Sequence, residues 1–475
     1  MKMRKFAIAA FATLMILCTL GAVVAQAKVR FIMKDFDADP NVDAFIALVE
    51  KGMAAAGTPV DIKVLKTPAG NYAEKLGLMV MSGDIPDLMY FQGGDDRLAL
   101  QGALEDLRPY VDKSKYLKSL MDPHSAQRLA SYPYLIWLAP PRVRAPVMRK
   151  DWYDSLPSAK AVTANPTVDT YYALFKDLVA KKGAKFGISV TGKTNGVEEL
   201  DAIFDAAFGN TSTWMKGSDG KWAYVRVSAN EKAKLEFYAK LFKEGLLDPE
   251  YLTKAWDTKE QVFYEGKAGI IPGVAPGSID VYANKMMKAQ GTDIIALPPA
   301  KGKAQGLTPF VDVTKEPRGF AISSTSKVKA EAFAILDFMW SPAGLKLAKL
   351  GIPGVHYNDD GKTYVLTDKY PEWPIGWFGD SLNGFKPDKP LSHPIMNQSA
   401  IDAGALAKKY MLPDKTFLIP EQFVTNWDAM SNLYKEYAAD IVTGKKPISA
   451  FDEFVDKWNK AGGIEVTKYA QTVLK

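Results

Sequence analysis

The chain has very little cysteine and histidine. Its 475 residues include one cysteine, Cys18, and three isolated histidines. A disulfide framework, a thiolate metal site and a histidine-based zinc site are therefore excluded. No Gly-x-Ser-x-Gly nucleophile elbow is present either. We therefore expect no catalytic residue, no bound metal and no cofactor.

A strong excess of one charge is also missing. The formal net charge is only +6, and three of the positive charges, Lys2, Arg4 and Lys5, stand before the apolar run 6–24. A balance this mild does not favour a nucleic acid or a polyanionic surface as partner. No other run approaches the ~20 apolar residues that a membrane span needs.

The N-terminal run has the pattern of a cleavable signal peptide. Basic residues precede it, and Ala25-Gln26-Ala27 supplies the small-x-small site that signal peptidase accepts. We expect residues 1–27 to be removed and the protein to be periplasmic or extracellular. An uncleaved membrane anchor and a lipid on Cys18 are the alternatives. The lipid is disfavoured because lipoprotein signals have a small residue directly before the cysteine, whereas Cys18 follows Ile16-Leu17.

The rest of the chain is too long for one hydrophobic core and suggests two lobes. Strand and helix patterns alternate at first, with strands at 29–33, 60–64 and 88–91, which predicts a doubly wound sheet. A stiff Pro140-Pro141 connector follows. We expect a first α/β lobe over 28–142, completed by about 300–340, and a helix-rich second lobe over 143–299 and 341–475.

Residues 72–111 are the most informative stretch. A helix with Tyr72 and Leu76 on one face ends at Ser82-Gly83, and a short apolar strand then runs into Gln92-Gly93-Gly94-Asp95-Asp96. Open α/β sheets place their ligands at the carboxyl ends of such strands.

The order of these parts resembles extracellular solute-binding proteins of family 1, the sugar-capturing subunits of ABC importers. Further similar motifs are 246–251, 264–269, 317–323 and 351–357. The resemblance implies an α/β fold of two lobes, with a multi-strand hinge and a central ligand cleft. It also implies a non-enzymatic, monomeric protein that delivers a carbohydrate, expected to be an oligosaccharide, to two permease subunits.

A sugar site needs flat aromatic surfaces and a few fixed donors and acceptors. Residues in glycine-rich, proline-rich or polar surroundings are the best candidates. The predicted polar contacts are Asp35, Gln92, Gly93, Asp95, Arg149 and Ser278, and the predicted aromatic contacts are Trp137, Trp214, Trp256, Trp373 and Trp377.

The ligand's charge stays open at this point. Arg142, Arg144 and Arg149 crowd the expected crossover, and guanidinium groups pair with carboxylates, so an acidic, uronate-containing oligosaccharide is one alternative. Arginines that bridge the lobes or face solvent are the other. The calcium loop of some oligosaccharide-binding relatives is absent from 180–185, and the acidic run 35–43 lacks the glycine and glutamate of an EF-hand.

Two other functions remain as alternatives. A secreted glycoside hydrolase or lyase needs two carboxylates beside the scissile bond. The chain has 54 acidic residues, so their number does not show whether such a pair exists. The protein is alternatively a ligand-presenting subunit of a sugar sensor.

Overall fold

The computed structural model describes residues 26–34, 36–37, 39–66, 72–138, 143–192, 196–311, 314–316, 318–373, 382 and 384–475. These residues form two α/β lobes, each around a four-stranded sheet, which confirms the predicted fold class. Within these ranges, no helix has both the length and the hydrophobicity that a membrane crossing requires.

The strands follow in chain order. They are β1 (Ala27–Ile32), β2 (Val60–Leu65), β3 (Leu88–Phe91), β4 (Val143–Arg149), β5 (Phe186–Ile188), β6 (Trp214–Lys216), β7 (Trp222–Tyr224), β8 (Ala268–Ala275), β9 (Ile294–Ala296), β10 (Leu307–Val311), β11 (Gly319–Ile322), β12 (Tyr357–Asp359), β13 (Tyr364–Leu366) and β14 (Met411–Pro413).

The α-helices are named in the same way. They are α1 (Val42–Ala55), α2 (Tyr72–Met81), α3 (Asp96–Leu100), α4 (Arg108–Asp112), α5 (Leu117–Leu120), α6 (Pro123–Ser131), α7 (Lys150–Ser155), α8 (Pro157–Ala164), α9 (Val168–Lys182), α10 (Glu198–Phe208), α11 (Ala229–Lys243), α12 (Trp256–Tyr264), α13 (Gly277–Gln290), α14 (Lys329–Met339), α15 (Pro342–Leu350), α16 (Gln398–Tyr410), α17 (Glu421–Val442), α18 (Ala450–Trp458) and α19 (Ile464–Val473).

The sheet of the first lobe has the strand order β11-β3-β1-β2. β1 is parallel to β2 and β3, whereas β11 returns antiparallel to β3. All four residues of β3 are buried, as expected for a central strand that is covered on both faces. Phe45, Val49 and Met53 of α1 are buried in the same core. This part follows directly from the 3.6-residue and continuous apolar patterns of the sequence.

The sheet of the second lobe has the order β5-β8-β4-β9. β5 is parallel to β8, and β4 runs antiparallel to both β8 and β9. α13 packs directly on β8, and Gly273 permits this approach because a Cβ there would lie 2.5 Å from the Tyr282 ring. The C-terminal helices α17, α18 and α19 contribute Tyr437, Phe454 and Val466 to a core of this lobe.

The chain passes between the lobes before β4, between β10 and β11, and between α15 and α16. Residues from 29–137 and 320–348 share the first hydrophobic core, which includes Leu345 and Ala348 of α15. The packing therefore differs from the expected return to the second lobe at residue 341, because α15 buries its apolar face in the first lobe. A small separate cluster forms around β12 and β13.

Candidate functional site

In each lobe, the carboxyl end of one strand lies beside a connection between the lobes. Val143, where the chain enters the second lobe, pairs with Ala275 at the carboxyl end of β8. Gly319, where it returns, pairs with Phe91 at the carboxyl end of β3. Both connections thus lie beside the edges at which α/β sheets bind ligands. These two edges are the candidate site.

The first-lobe edge carries the loop after β3. Gln92 and Gly93 are exposed there, and the Gln92 amide lies 3.4 Å from the Tyr90 hydroxyl. Gly93 and Gly94 have φ of +87° and +80°, a left-handed conformation that favours glycine. The loop borders a cavity of about 640 Å³ that Lys34 and Arg97 also line. Gln92 and Gly93 are therefore accessible to a ligand.

Asp95 of the same loop has a different position from the one predicted. Its carboxylate is buried, accepts a 2.7 Å hydrogen bond from the Tyr132 hydroxyl and lies 2.8 Å from Lys315 Nζ. Lys315 belongs to the segment that returns from the second lobe. Asp95 therefore anchors a connection between the lobes and is not placed to contact a ligand.

The second-lobe edge carries a cluster of two cations and one carboxylate. Lys259 Nζ of α12 lies 3.0 Å from Glu199 Oε1 and donates to the Pro272 carbonyl at 2.8 Å. Arg144, the second residue of β4, places Nε 3.6 Å from the same Glu199 oxygen. The Thr191 N–H donates to the other Glu199 oxygen at 2.8 Å. Burial lowers the pKa of Lys259, although Glu199 opposes this effect.

An aromatic surface adjoins this cluster. Trp256 begins α12 and is 39% exposed. Its ring centroid lies 5.6 Å from that of Tyr282 on α13, and Lys259 Nζ lies 4.3 Å from the Trp256 centroid. Trp256 is therefore a predicted aromatic contact that can present a ring to a ligand.

The first turn of α13 lies near the first lobe. Ser278 is half-buried there. Burial and the charge of Asp280, two residues later, raise the pKa of Tyr370 to about 12, and the Tyr370 hydroxyl donates to Lys349 O of α15. The first turn of α13, which carries Ser278, thus lies on the side of the second lobe that approaches the first.

Three other predicted aromatics are core residues. Trp214 is fully buried and stacks on Phe417 with centroids 5.4 Å apart. Trp373 is 2% exposed and donates from Nε1 to Leu347 O at 2.8 Å. Trp137 is buried with Tyr90. These rings stabilise the lobes and present no face to a ligand, because neighbouring side chains cover them.

Arg149 is also a structural residue. Its guanidinium lies 2.6 Å from Asp151, donates to Gln290 at 3.2 Å and stacks 4.6 Å from the Trp152 ring centroid. Its donors serve the second lobe, so this geometry does not favour a contact between Arg149 and a ligand. Asp35, Trp377 and Arg142, together with nearly all of the expected signal peptide, lie outside the described residues.

The sequence-based prediction missed Glu199, Lys259 and Tyr282. Lys259 follows Trp256 at the i+3 spacing that places two side chains on one helix face, so a local signal existed. Glu199 is 60 residues away from Lys259 in the chain, and only the fold brings the two together.

Residues 187–194 match the Gly-x4-Gly-Lys-Thr pattern of phosphate-binding loops. The structure does not support that function, because the backbone N–H groups that would cradle a phosphate have protein acceptors. Gly187 and Ile188 donate to Leu246 O, and Thr191 donates to Glu199. Lys193 and Thr194 lie outside the described residues.

A second cavity of about 670 Å³ lies within the second lobe, between α10 and α17. A network of buried charges borders it, in which Lys234 pairs with Asp201, Asp205 and Glu231 at 2.5–2.9 Å, and Arg226 adds a second cation. Burial, and next the charge of Asp201, raise the pKa of Asp205 to about 7.

Within the ranges that the structure describes, no group of three or more His, Cys, Asp or Glu side chains could hold a metal ion. In the acidic run, Asp39 accepts a 2.9 Å hydrogen bond from the Asn41 N–H, in the turn that precedes α1.

The chain is similar to known proteins in both sequence and structure. The sequence is 23% identical over 351 residues to the polygalacturonan/rhamnogalacturonan-binding protein YtcQ of Bacillus subtilis, covering 69% of this chain and 67% of that one. The fold is similar to that of the alginate-binding protein AlgQ2, with a TM-score of 0.66 at 19% identity, covering 94% and 97% of the two chains.

It is also similar to the Streptococcus pneumoniae ABC-transporter substrate-binding protein FusA in complex with fructo-nystose, with a TM-score of 0.67 at 17% identity. That match covers 94% of this chain and 98% of FusA. The family model of the bacterial extracellular solute-binding protein matches residues 38–346. The chain therefore belongs to the bacterial extracellular solute-binding protein family.

Proposed function

We propose that this protein is the extracytoplasmic substrate-binding subunit of an ABC importer and that it captures an oligosaccharide in the cleft between its lobes. The observation that carries the proposal is that, in each lobe, the carboxyl end of one strand, where α/β sheets bind ligands, lies beside a connection between the lobes. The relatives support the ligand class, since YtcQ, AlgQ2 and FusA are named for carbohydrate ligands or crystallised with one.

Each edge of the cleft supplies one part of sugar recognition. Trp256 offers an apolar ring to the C–H face of a pyranose. Gln92, the backbone of Gly93 and the Ser278 hydroxyl supply donors and acceptors for the ring hydroxyls. Because these groups belong to both lobes, a sugar that contacts all of them binds the closed state more tightly than the open one.

The closed protein then presents a surface from both lobes to two permease subunits, and the protein itself carries out no chemistry. It acts as a monomer. Incubation of the protein with oligosaccharides at catalytic concentration leaves them intact under this proposal, whereas hydrolysis or elimination products would favour a glycosidase or lyase.

Export is part of the proposal. Residues 1–27 are cleaved, so the mature N-terminus is Lys28, no lipid is attached, and the protein is periplasmic or extracellular. Intact-mass measurement of the protein from its native host tests this. A lipid on Cys18 or a retained N-terminal segment would contradict the proposed processing.

The decisive experiment is a thermal-shift screen of the purified protein against a carbohydrate panel, followed by calorimetry. A ligand that binds only the native state raises the apparent Tm, and we expect this from an oligosaccharide. Deletion of the gene should then abolish uptake of that sugar. A panel without any shift, or uptake that survives the deletion, would contradict the proposed function.

A further inference from the structure

We infer that Arg144, supported by Lys259 and Tyr282, forms a carboxylate subsite on the second-lobe side of the cleft and selects oligosaccharides that carry a uronate residue. The inference rests on the proposed function, because it assigns the ligand class of the same cleft. Four features of the described residues lead to it.

The first feature is the incomplete hydrogen bonding of Arg144. Its side chain is 18% exposed, and it donates no hydrogen bond to any part of the chain that the structure describes. Its Nε is buried and lies 3.6 Å from Glu199, which is too far for a hydrogen bond. The two Nη groups remain accessible and donate to no described residue, and an unmade hydrogen bond of a guanidinium is costly. Acceptor atoms from a ligand would complete this one.

The second feature is the local charge. Glu199 is shared between Arg144 and Lys259, so two cations face one carboxylate. The neighbouring Glu260 is engaged by Lys285 at 2.7 Å and by the Tyr264 hydroxyl. Glu198 is within electrostatic range of Arg144 but forms no ion pair with it. Arg144 therefore shares its one ion-paired carboxylate with Lys259, and a ligand carboxylate would give it a partner of its own.

The third feature is Tyr282, whose ring supports that of Trp256. The Tyr282 side chain is fully buried and its hydroxyl has no hydrogen-bond partner among the described residues. It is close enough to Arg144 and Glu199 for their charges to affect its ionisation. Because it is buried, Tyr282 does not contact the ligand itself; it links the Trp256 ring to the neighbourhood of Arg144.

The fourth feature is the adjoining Trp256 ring, whose centroid lies 5.6 Å from that of Tyr282. A carboxylate carried on a pyranose would place its sugar face on Trp256 and its oxygens towards the guanidinium, which pairs with carboxylates through two parallel hydrogen bonds. A neutral sugar would leave Arg144 with only the carboxylate that it shares with Lys259. Polygalacturonan and alginate, for which YtcQ and AlgQ2 are named, are polymers of uronates.

Calorimetry with three ligands of equal length tests the subsite: an oligogalacturonate, its methyl ester, and a neutral galacto-oligosaccharide. We expect the wild type to bind the acid about tenfold to a hundredfold more tightly than the ester. Arg144→Gln should remove that preference and leave the affinity for the ester within about threefold. Arg144→Lys should retain part of it, because the charge remains but the planar fork is lost.

The matched control is Arg108→Gln, which removes an exposed arginine paired with Asp106 on the surface; it should bind all three ligands like the wild type. Equal affinity of the wild type for the acid and the ester would overturn the inference, and this measurement does not depend on whether a variant folds. An equal decrease in the affinity of Arg144→Gln for all three ligands would also overturn it. Binding of the neutral sugar alone would overturn the subsite and leave the proposed function intact. Absence of binding to every carbohydrate would overturn both.

Discussion

Lys315 lies 2.8 Å from the buried carboxylate of Asp95 and joins a connection between the lobes to the loop that follows β3. The next residue, Glu316, forms a second buried ion pair with Arg128 at 3.0 Å. The returning chain is therefore fixed to the first lobe by two adjacent ion pairs. The same loop carries Gln92 and Gly93, so these contacts also hold the ligand-binding edge in place.

Asp95→Asn should destabilise the protein by about 2–4 kcal/mol, because it leaves the mostly buried Lys315 without its buried counter-charge. Urea unfolding measures the effect. Asp84→Asn is the control, since Asp84 is 61% exposed in its pair with Arg30 and should cost less than about 1 kcal/mol. Unchanged stability together with lost sugar binding would show that Asp95 contacts the ligand after all.

Lys234→Met should destabilise the second lobe by about 3–5 kcal/mol, because three buried carboxylates would then face Arg226 alone. The control Lys232→Met removes an exposed pair with Asp452 and should cost less than about 1 kcal/mol. Thermal or urea unfolding of both variants provides the comparison.

Adding Asp205→Leu to Lys234→Met should recover part of the lost stability, because the double change removes a cation and a carboxylate from the same network. Additive losses in the two single variants would contradict the ion pair between Lys234 and Asp205.

Glu316 should make stability depend on pH near neutrality. Burial raises its pKa to about 7, more than Arg128 lowers it. The folded state therefore binds more protons than the unfolded chain between about pH 4.5 and 7, and stability falls as the pH rises through this window, by roughly 1 kcal/mol per pH unit.

Glu316→Gln removes this dependence, so the stability of the variant relative to the wild type should increase from pH 5 to pH 8. Urea unfolding at several pH values measures it, with the exposed Glu465→Gln as control. A difference between wild type and Glu316→Gln that is constant with pH would contradict the raised pKa.

The local parts of the fold were predictable from the sequence. The helix from Tyr72, the strand 88–91 and the loop from Gln92 are confirmed, because apolar periodicity and glycine placement act over a few residues. Contacts between distant segments were not predictable. Lys315 and Asp95 are 220 positions apart in the chain, and no periodic pattern links them.

The same distinction explains the errors among the aromatic residues. Loop-like surroundings indicate ligand contact in the sequence, yet Trp214 and Trp373 have such surroundings and fill cores. Residue type and local sequence are the same for an aromatic ring that binds sugar and for one that fills a core. Exposure, which separates them, is a property of the folded chain.

Trp256 and Trp214 should therefore respond in opposite ways to truncation. Trp256→Ala should reduce sugar affinity about tenfold or more, because it removes the ring that would contact the pyranose face, while stability changes by less than about 1 kcal/mol at this partly exposed position. Trp214→Ala should cost about 3–5 kcal/mol of stability through the cavity left in the core. Its folded fraction should bind sugar with unchanged affinity.

Calorimetry and urea unfolding of both variants separate the two effects, and fluorescence adds an independent signal. Ligand binding should shift the emission of the wild type, and Trp256→Phe should lose most of that shift while retaining part of the affinity, because a smaller ring still covers the sugar face. If Trp256→Ala binds like the wild type, the sugar does not contact this ring, and the site must lie on the Gln92 side of the cleft. The outcome thus decides which lobe supplies the aromatic surface.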